Sequence, residues 1–399
     1  MELENRLFNV VSYVVIVIFA LAFLYVGNLV ATRNIQDAEA GEVGARFFEA
    51  RVTNIVNIHE HTDDWVAITF EAEIVRGEYR GEVVNFTQNI RSYFLDRFPR
   101  EARVGDRVML STTDRGVWNF VDYIRIHYIV ILGGIFVVLM IIFGRMKGFN
   151  SILSLGLTCT AIFAVFIPSI LSGMNIYISA IVVCVHSVIT TLFIINGVNK
   201  KSAAAVSGCL GGVVAAGLIT FTMNRIMELT GITQTESIHL LYLSEHPIDL
   251  NAIIFASIII GAVGAIMDMS VSISSALWEL KRRVPDSSFG DIFRSGVNIG
   301  KDIIGSNINT LILAYIGSSL TVVLIFLVHN TSFLRLFNRE WVVVELLQAI
   351  VGSFGIFLTM PLTALICAAL YSRERRRTLL DLKNLDLENL DYENWENDL

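Results

Sequence analysis

The chain has 399 residues, of which 54% are hydrophobic and only 17% are charged. Soluble domains carry about 25% charged residues, so this composition excludes an ordinary soluble protein. The net charge of −7 comes partly from an acidic C-terminal segment, and no basic surface with interleaved aromatic residues indicates nucleic acid binding. The apolar residues fall in blocks about as long as a bilayer requires, near 20 residues. We therefore predict an α-helical polytopic membrane protein whose first partner is the lipid bilayer.

The first apolar block covers residues 7–30 and is too long for the apolar core of a typical signal peptide. We interpret residues 1–31 as an uncleaved N-terminal transmembrane anchor. Cleavage of this segment is the alternative.

Residues 32–122 have a different, more polar composition. Apolar and polar residues alternate in short runs at 47–58, 65–74, 82–90, 107–111 and 117–124, and glycines separate several of these runs. Period-two alternation with regular turn signals predicts β-strands. We expect a small extracytoplasmic all-β domain, either an OB-like barrel or a compact sandwich. An OB-like shape would not by itself imply nucleic acid.

Residues 123–371 form the predicted membrane domain. Its apolar blocks lie at about 124–143, 152–171, 176–195, 203–223, 251–271, 304–328 and 341–370. With the N-terminal block they predict eight transmembrane helices. Basic residues follow every second block, at 145–147, 200–201, 281–294 and 373–377, and the opposite loops are poorer in Lys and Arg. The excess of Lys and Arg on the inner side then predicts that both termini are cytoplasmic and that residues 32–122 lie outside.

The C-terminal segment, residues 372–399, contains a short repeat rich in Asp and Glu at 384–393. We expect a mobile, solvated cytoplasmic tail, with folding on a partner as the alternative.

The four cysteines all lie in apolar segments without CxxC spacing, so we expect packing residues rather than a disulfide or a zinc site. The sequence contains no P-loop, nucleophile elbow, HExxH or dinucleotide fingerprint. We therefore expect no enzyme, no metal site, no cofactor and no ATP-driven transport by this chain alone.

Asp268 is the most informative residue because it is a carboxylate inside the apolar block 251–271. Such a group costs about 2.5–3.5 kcal/mol at the centre of a bilayer on insertion scales, so it must face protein, water or a partner group. Gly264, Ser272, Ser275 and Glu279 recur with Asp268 at helical spacing, which places small and polar groups on one helix face. A face of this kind is typical of a helix that lines a polar path or packs closely on another helix.

A second polar segment, residues 298–310, precedes and enters the block 304–328. Its carbonyl and hydroxyl oxygens could bind a cation or a polar solute, and the alternative is an interfacial elbow with a snorkelling Lys301. Asp268 in turn could pair with Lys301, or accept hydrogen bonds from Asn307 or Asn309, and so lock two helices together. The candidates for a substrate or ion path are Asp268, Ser272, Ser275, Glu279, Lys301, Asp302, Asn307, Asn309 and Thr310.

Small residues recur every four positions in the blocks 203–223 and 251–271. This spacing lets two helix backbones approach closely in a membrane. The predicted helix-packing residues are Ala204, Gly208, Gly212, Ala216, Ser257, Gly261 and Ala265.

Two long segments carry a family resemblance. Residues 261–280 (Gly-Ala-Val-Gly-Ala-Ile-Met-Asp-Met-Ser-Val-Ser-Ile-Ser-Ser-Ala-Leu-Trp-Glu-Leu) and residues 298–317 (beginning Asn-Ile-Gly-Lys-Asp-Ile-Ile-Gly-Ser-Asn) resemble signatures of the YibE/F-like family of bacterial membrane proteins. The Gly-Arg-Met-Lys-Gly turn at 144–148 is similar as well. The resemblance implies a permease-like, multi-pass protein of the bacterial plasma membrane and names no substrate.

Two functions from different classes follow. The favoured hypothesis is a permease that moves a small solute or ion along a polar path formed by the helices of blocks 251–271 and 304–328. The alternative is a membrane-anchored assembly or signalling protein that binds partners through its outer β domain and acidic tail. A second copy of the chain, or another membrane subunit, could complete the path.

Overall fold

A computed structural model describes residues 2–33, 46–61, 65–91, 100–112, 117–233, 235–243, 247–328 and 332–396. The chain forms two compact units. One is Gln36–Gly144, and the other combines Met1–Ile35 with Arg145–Leu399. The first unit thus extends beyond the predicted β domain and includes the first half of the following helix.

The smaller unit contains a closed five-stranded barrel with the strand order β1-β2-β3-β5-β4. Only the β3–β5 pair is parallel. A barrel is therefore present, and not the sandwich that the strand pattern also allowed. The strands are β1 (Arg46–His61), β2 (Trp65–Ile74), β3 (Val83–Arg91), β4 (Arg107–Thr112) and β5 (Trp118–Tyr123).

The barrel has a hydrophobic core of its own. Alternate residues point inward, as the period of two predicts. Phe70 and Phe86 stack in the interior at 5.4 Å, and Ala50, Ile74 and Leu110 are fully buried around them. The apolar face of each strand is thus covered without help from another unit.

The helical elements carry the rest of the chain. They are α1 (Glu2–Thr32), α2 (Ile126–Ala161), a π-helical segment (Ile162–Phe166), α3 (Ile167–Leu171), α4 (Ile176–Asn196), α5 (Lys200–Ile226), α6 (Thr235–Leu243), α7 (Leu250–Arg283), α8 (Phe289–Val328), α9 (Phe333–Phe337) and α10 (Glu340–Glu396). α10 continues as helix through the segment that we expected to be a mobile tail, and residues 397–399 lie outside the described residues.

Seven helices among the described residues are long and apolar enough to cross a membrane, which indicates a membrane-embedded protein. One of them, Ile126–Leu171, combines two of the predicted blocks. Its helical geometry is interrupted at Arg145, where φ is 49° and ψ is −130°, inside the predicted polar turn 144–148. Eight crossings would require both halves to span separately, and that number stays a prediction.

Side-chain caps explain where several helices begin. Asn175, Asn199 and Asp249 precede α4, α5 and α7, and each side chain accepts a hydrogen bond from the backbone N–H three residues later. This interaction satisfies one of the otherwise unpaired amide groups of the first turn. The polar residues between the apolar blocks therefore set the starts of these helices.

The larger hydrophobic core lies among α5, α7, α8 and α10. On α7, Ile258, Ile266, Met269 and Ile273 are fully buried in this core. A second cluster joins α1 and α4 to the segment around Val165. The direction in which α7 presents its polar residues follows from this packing, because its apolar face is already occupied.

Candidate functional site

The small and polar residues of α7 lie on the side of the helix that faces away from the core. Ser257, Gly261, Gly264, Asp268 and Ser272 are exposed in the single chain, while the residues between them are mostly buried. We call this face the polar stripe. It comprises Ser257, Gly261, Gly264, Asp268, Ser272, Ser275 and Glu279, of which Ser275 is half-buried and the others are exposed.

Asp268 makes no hydrogen bond or ion pair with any residue that the structure describes. Lys301 is not within ion-pair distance of it, and the Asn307 amide instead points to the sulfur of Met269, with 3.9 Å between nitrogen and sulfur. Asp268 therefore does not join α7 to α8 through an ion pair or a hydrogen bond within the described part of one chain. The carboxylate also lies deep in the helix, about 13 residues or roughly 20 Å before Lys281.

The polar segment of the next helix is a regular part of α8, which begins at Phe289, so there is no elbow. Lys301, Asp302, Asn309 and Thr310 are exposed, whereas Asn307 is half-buried against α7. The structure thus brings Asn307 to the buried Met269 of α7 and leaves the charged pair Lys301 and Asp302 on the open surface of α8.

Three polar side chains of the candidate path differ in whether they make a hydrogen bond. The Thr310 hydroxyl donates to its own helix, at 2.9 Å from the Ser306 carbonyl oxygen. Glu279 accepts from Arg283 at 2.8 Å in an exposed pair four residues apart, which is an ordinary helix-surface interaction. Ser272, by contrast, has no hydrogen-bond partner within the described ranges.

The predicted packing residues of α5 all lie in the core. Ala204 and Ala216 are fully buried, and Gly208 and Gly212 are buried between them. A methyl group at Gly208 would overlap the Thr363 hydroxyl, and its carbon would be 2.8 Å from Thr363 Cβ and 2.9 Å from Ser270 Oγ.

The predicted packing residues of α7 are arranged differently. Ser257 is exposed and its hydroxyl donates to the Ile254 carbonyl at 2.9 Å, and Ala265 is half-buried. Gly261 has Tyr315 of α8 and Gln348 of α10 beside it, with the Tyr315 hydroxyl 2.7 Å from where a Cβ would lie. Gly264 has nothing within 4 Å of that position, so the stripe is open there.

A buried hydrogen-bond cluster escaped the sequence prediction. The Ser270 hydroxyl donates to the Ala205 carbonyl at 2.7 Å and is 3.1 Å from the Thr363 hydroxyl. Ser270 and Thr363 are 0% exposed, and the contact ties α7 to α5 and α10. Ser270 lies on the apolar side of α7, opposite the polar stripe, and this offset was the signal available in the sequence.

His186 of α4 is buried and takes no part in the polar stripe. Its ring stacks on Phe23 of α1, with 3.9 Å between the ring centres. Neither ring nitrogen has a hydrogen-bond partner within the described residues. His186 therefore packs as an aromatic residue, and nothing in its surroundings favours a proton relay.

The fold defines a class: a mostly α-helical protein with several long apolar helices and a small β-barrel in its N-terminal half. The family described as YibE/F-like protein matches residues 132–373. Because this match covers more than half of the chain, the protein belongs to the YibE/F-like family, which confirms the prediction from residues 261–280 and 298–317. No curated protein and no solved structure matches the chain.

Proposed function

We propose that this protein is an integral membrane permease that moves a small solute or ion along the polar stripe of α7, with α8 beside it. The observation that carries the proposal is Asp268: a carboxylate deep in an apolar helix, on an exposed face, with no partner in the described chain. Ionisable groups inside membrane segments are rare and mark substrate or ion pathways.

The alternatives to a path explain the stripe less well. Lipid contact would leave Asp268 in hydrocarbon at a cost of about 2.5–3.5 kcal/mol. Packing within one chain is already provided by the opposite face of α7, where Ile258, Ile266 and Ile273 are fully buried. A face that combines small residues, hydroxyl groups and an unpaired carboxylate suits water and a polar solute.

A single copy leaves this face open, since Gly264, Asp268 and Ser272 are all exposed. A path through a bilayer has to be closed toward the lipid. The proposal therefore includes a second copy of the chain, or another membrane subunit, that covers the face. The bacterial plasma membrane, with both termini in the cytoplasm, is the proposed location.

Flux into proteoliposomes tests the proposal. The panel would include protons, common monovalent and divalent cations and small polar solutes, with the intact protein and Asp268→Asn compared at equal reconstitution. Asp286→Asn is the matched control, because it removes the same charge from an exposed residue outside the stripe. We expect flux of at least one species that Asp268→Asn abolishes and Asp286→Asn retains. Equal flux in the two variants would reject the role of Asp268.

An assembly or signalling role is the second candidate, and the barrel is the observation that favours it. A domain with its own core between two apolar helices is more than an anchor requires. If the membrane domain without residues 46–123 transports at the full rate, the barrel serves a separate purpose such as partner binding. If that deletion abolishes transport while the helices stay folded, the barrel belongs to the transport machinery.

A further inference from the structure

The smaller unit contains a cavity of about 600 Å³ where β5 runs into α2. Its charged lining consists of four arginines and two aspartates, Arg51, Arg100, Arg107, Arg125, Asp106 and Asp122. Among the lining residues arginines outnumber carboxylates, although Arg107 also pairs with Glu49 and the whole chain carries −7. This imbalance indicates an anionic ligand.

Two of the arginines are held in place by protein groups. Arg100 donates to both carboxylate oxygens of Asp106, at 2.8 and 2.9 Å, and Arg125 donates to Asp122 at 3.0 Å. Their guanidinium carbons lie 5.7 and 5.5 Å from the ring centre of Tyr123. Such contacts fix the direction of two planar donors before any ligand arrives.

Tyr123 is itself fixed. Its hydroxyl donates to the Arg100 carbonyl, and the buried Gln88 amide lies 3.3 Å from both oxygens. Burial raises the pKa of Tyr123, so its hydroxyl keeps the proton that it donates. These hydrogen bonds hold the Tyr123 ring in place at the wall of the pocket.

The other two arginines differ in whether they have an ion-pair partner. Arg51 of β1 and Arg107 of β4 are direct cross-strand partners. Like charges directly opposite each other destabilise a strand pair, but Glu73 of β2 lies opposite Arg51 on its other side and offsets this repulsion. Arg107 has Glu49 at 3.3 Å, but Arg51 has no ion pair anywhere in the described residues. The Arg51 guanidinium is therefore available to an anion in the pocket.

The pocket adjoins the start of an apolar helix. Arg125, His127 and Tyr128 line it, and α2 begins at Ile126. The next residues of α2, Ile129, Val130 and Ile131, are apolar and more than half exposed, and they open a candidate membrane span. The pocket thus lies within about one helical turn of the hydrocarbon boundary, at the depth where lipid phosphates are found.

We propose that this pocket binds the phosphate group of an anionic phospholipid at the membrane surface. Arginine suits this ligand because its planar donors match phosphate oxygens in pairs. The bound lipid would fix the barrel to the membrane surface independently of any transport along α7.

The test is native mass spectrometry of the full chain in detergent, titrated with phosphatidylglycerol or phosphatidylcholine. Arg51→Gln removes the unpaired charge without breaking an ion pair in the described chain. Arg80→Gln is the matched control, because Arg80 is exposed in the turn between β2 and β3 and does not line the pocket. We expect Arg51→Gln to weaken retention of one phosphatidylglycerol molecule by about tenfold, the value of one charge-assisted hydrogen bond. Arg80→Gln should retain that molecule.

Competition on the unmodified protein keeps the proposal testable if Arg51→Gln fails to fold. Inorganic phosphate or glycerol phosphate at millimolar concentration should displace the same lipid molecule only weakly, because neither has acyl chains beside α2. Displacement at micromolar concentration would overturn the lipid assignment in favour of a soluble phosphate. Equal retention of the two lipids, or equal losses in Arg51→Gln and Arg80→Gln, would overturn the pocket as well.

Discussion

Substituting Gly212 by alanine is expected to break a close contact between α5 and α10. A Cβ at this position would overlap the Thr359 hydroxyl and would lie 3.0 Å from both Thr359 Cβ and Ile266 Cγ2. Thr359 is fully buried and its hydroxyl donates to the Gly355 carbonyl at 2.7 Å, so it cannot turn away without losing that bond. The helices have to separate instead.

The size of the effect follows from two opposing terms. Extra methyl groups in a packed core cost about 1–3 kcal/mol, and alanine gains up to about 1 kcal/mol over glycine in a helix. Gly264→Ala is the matched control, because nothing lies within 4 Å of its Cβ position. This variant should show only the gain in helix propensity and no steric cost. The two variants should therefore differ by about 1–3 kcal/mol in unfolding free energy, with Gly212→Ala the less stable.

Thermal unfolding with a thiol-reactive dye, in a Cys159→Ser background because Cys159 is exposed, measures this difference. Cys184, Cys209 and Cys367 are buried and react only after unfolding. The apparent melting temperature should fall by about 2–4 °C for each kcal/mol. Adding Thr359→Ala to Gly212→Ala should restore part of the loss, because it removes the overlapping hydroxyl. Equal melting temperatures for Gly212→Ala and Gly264→Ala would refute the close approach of α5 and α10.

Three further predictions concern other parts of the larger unit. His186→Leu should leave stability unchanged or raise it by about 1 kcal/mol, because it removes two buried nitrogens that have no hydrogen-bond partner among the described residues. A clear loss in the same unfolding assay would reveal a hydrogen bond to His186. Glu340→Gln should lower the unfolding free energy by about 1–2 kcal/mol, because the Glu340 carboxylate, in the first turn of α10, accepts a hydrogen bond from the Gly231 backbone amide at 2.6 Å. An unchanged melting temperature would show that this hydrogen bond contributes nothing to stability. If a second copy covers the polar stripe, Ser257→Cys in a Cys159→Ser background should be crosslinked to a dimer in membranes by a short bis-maleimide. A monomer band alone would argue that a different subunit covers the stripe.

The polar stripe could be predicted from the sequence, but its surroundings could not. The spacing of Gly264, Asp268 and Ser272 shows that they share a helix face, because helical periodicity is local. Which group lies opposite that face depends on how α8 packs, and α8 places Asn307 against Met269 rather than Lys301 against Asp268. A pairing between distant segments leaves no trace in the spacing of either one.

The helix-packing residues illustrate the same division. Gly208 and Gly212 are recognisable from their four-residue spacing, which allows close backbone approach. The residues that occupy the space they leave, Thr359 and Thr363, are far along the chain and sit inside a long apolar block. Nothing in that block marks two threonines as the partners of two glycines.

The ends of α7 were harder to predict than its centre. We placed the apolar block at 251–271, whereas α7 continues to Arg283. A helix needs apolar side chains only where it contacts lipid or core, so residues 272–283 extend α7 with Ile273 and Leu277 buried in the core and polar residues on the other side. It ends before Val284 because Pro285 disfavours helical geometry in the residue that precedes it.

In the proposed permease, the polar stripe of α7 lines an aqueous path. The most direct measurement is the reaction of a cysteine placed on this stripe. Gly264→Cys in a Cys159→Ser background would be treated in membranes with a small charged methanethiosulfonate, beside Leu218→Cys, which lies on the exposed apolar side of α5. Only a thiolate in contact with water reacts readily. Modification of Gly264→Cys but not of Leu218→Cys is the predicted result. If neither cysteine is modified, the stripe is a dry packing surface and the permease proposal is wrong.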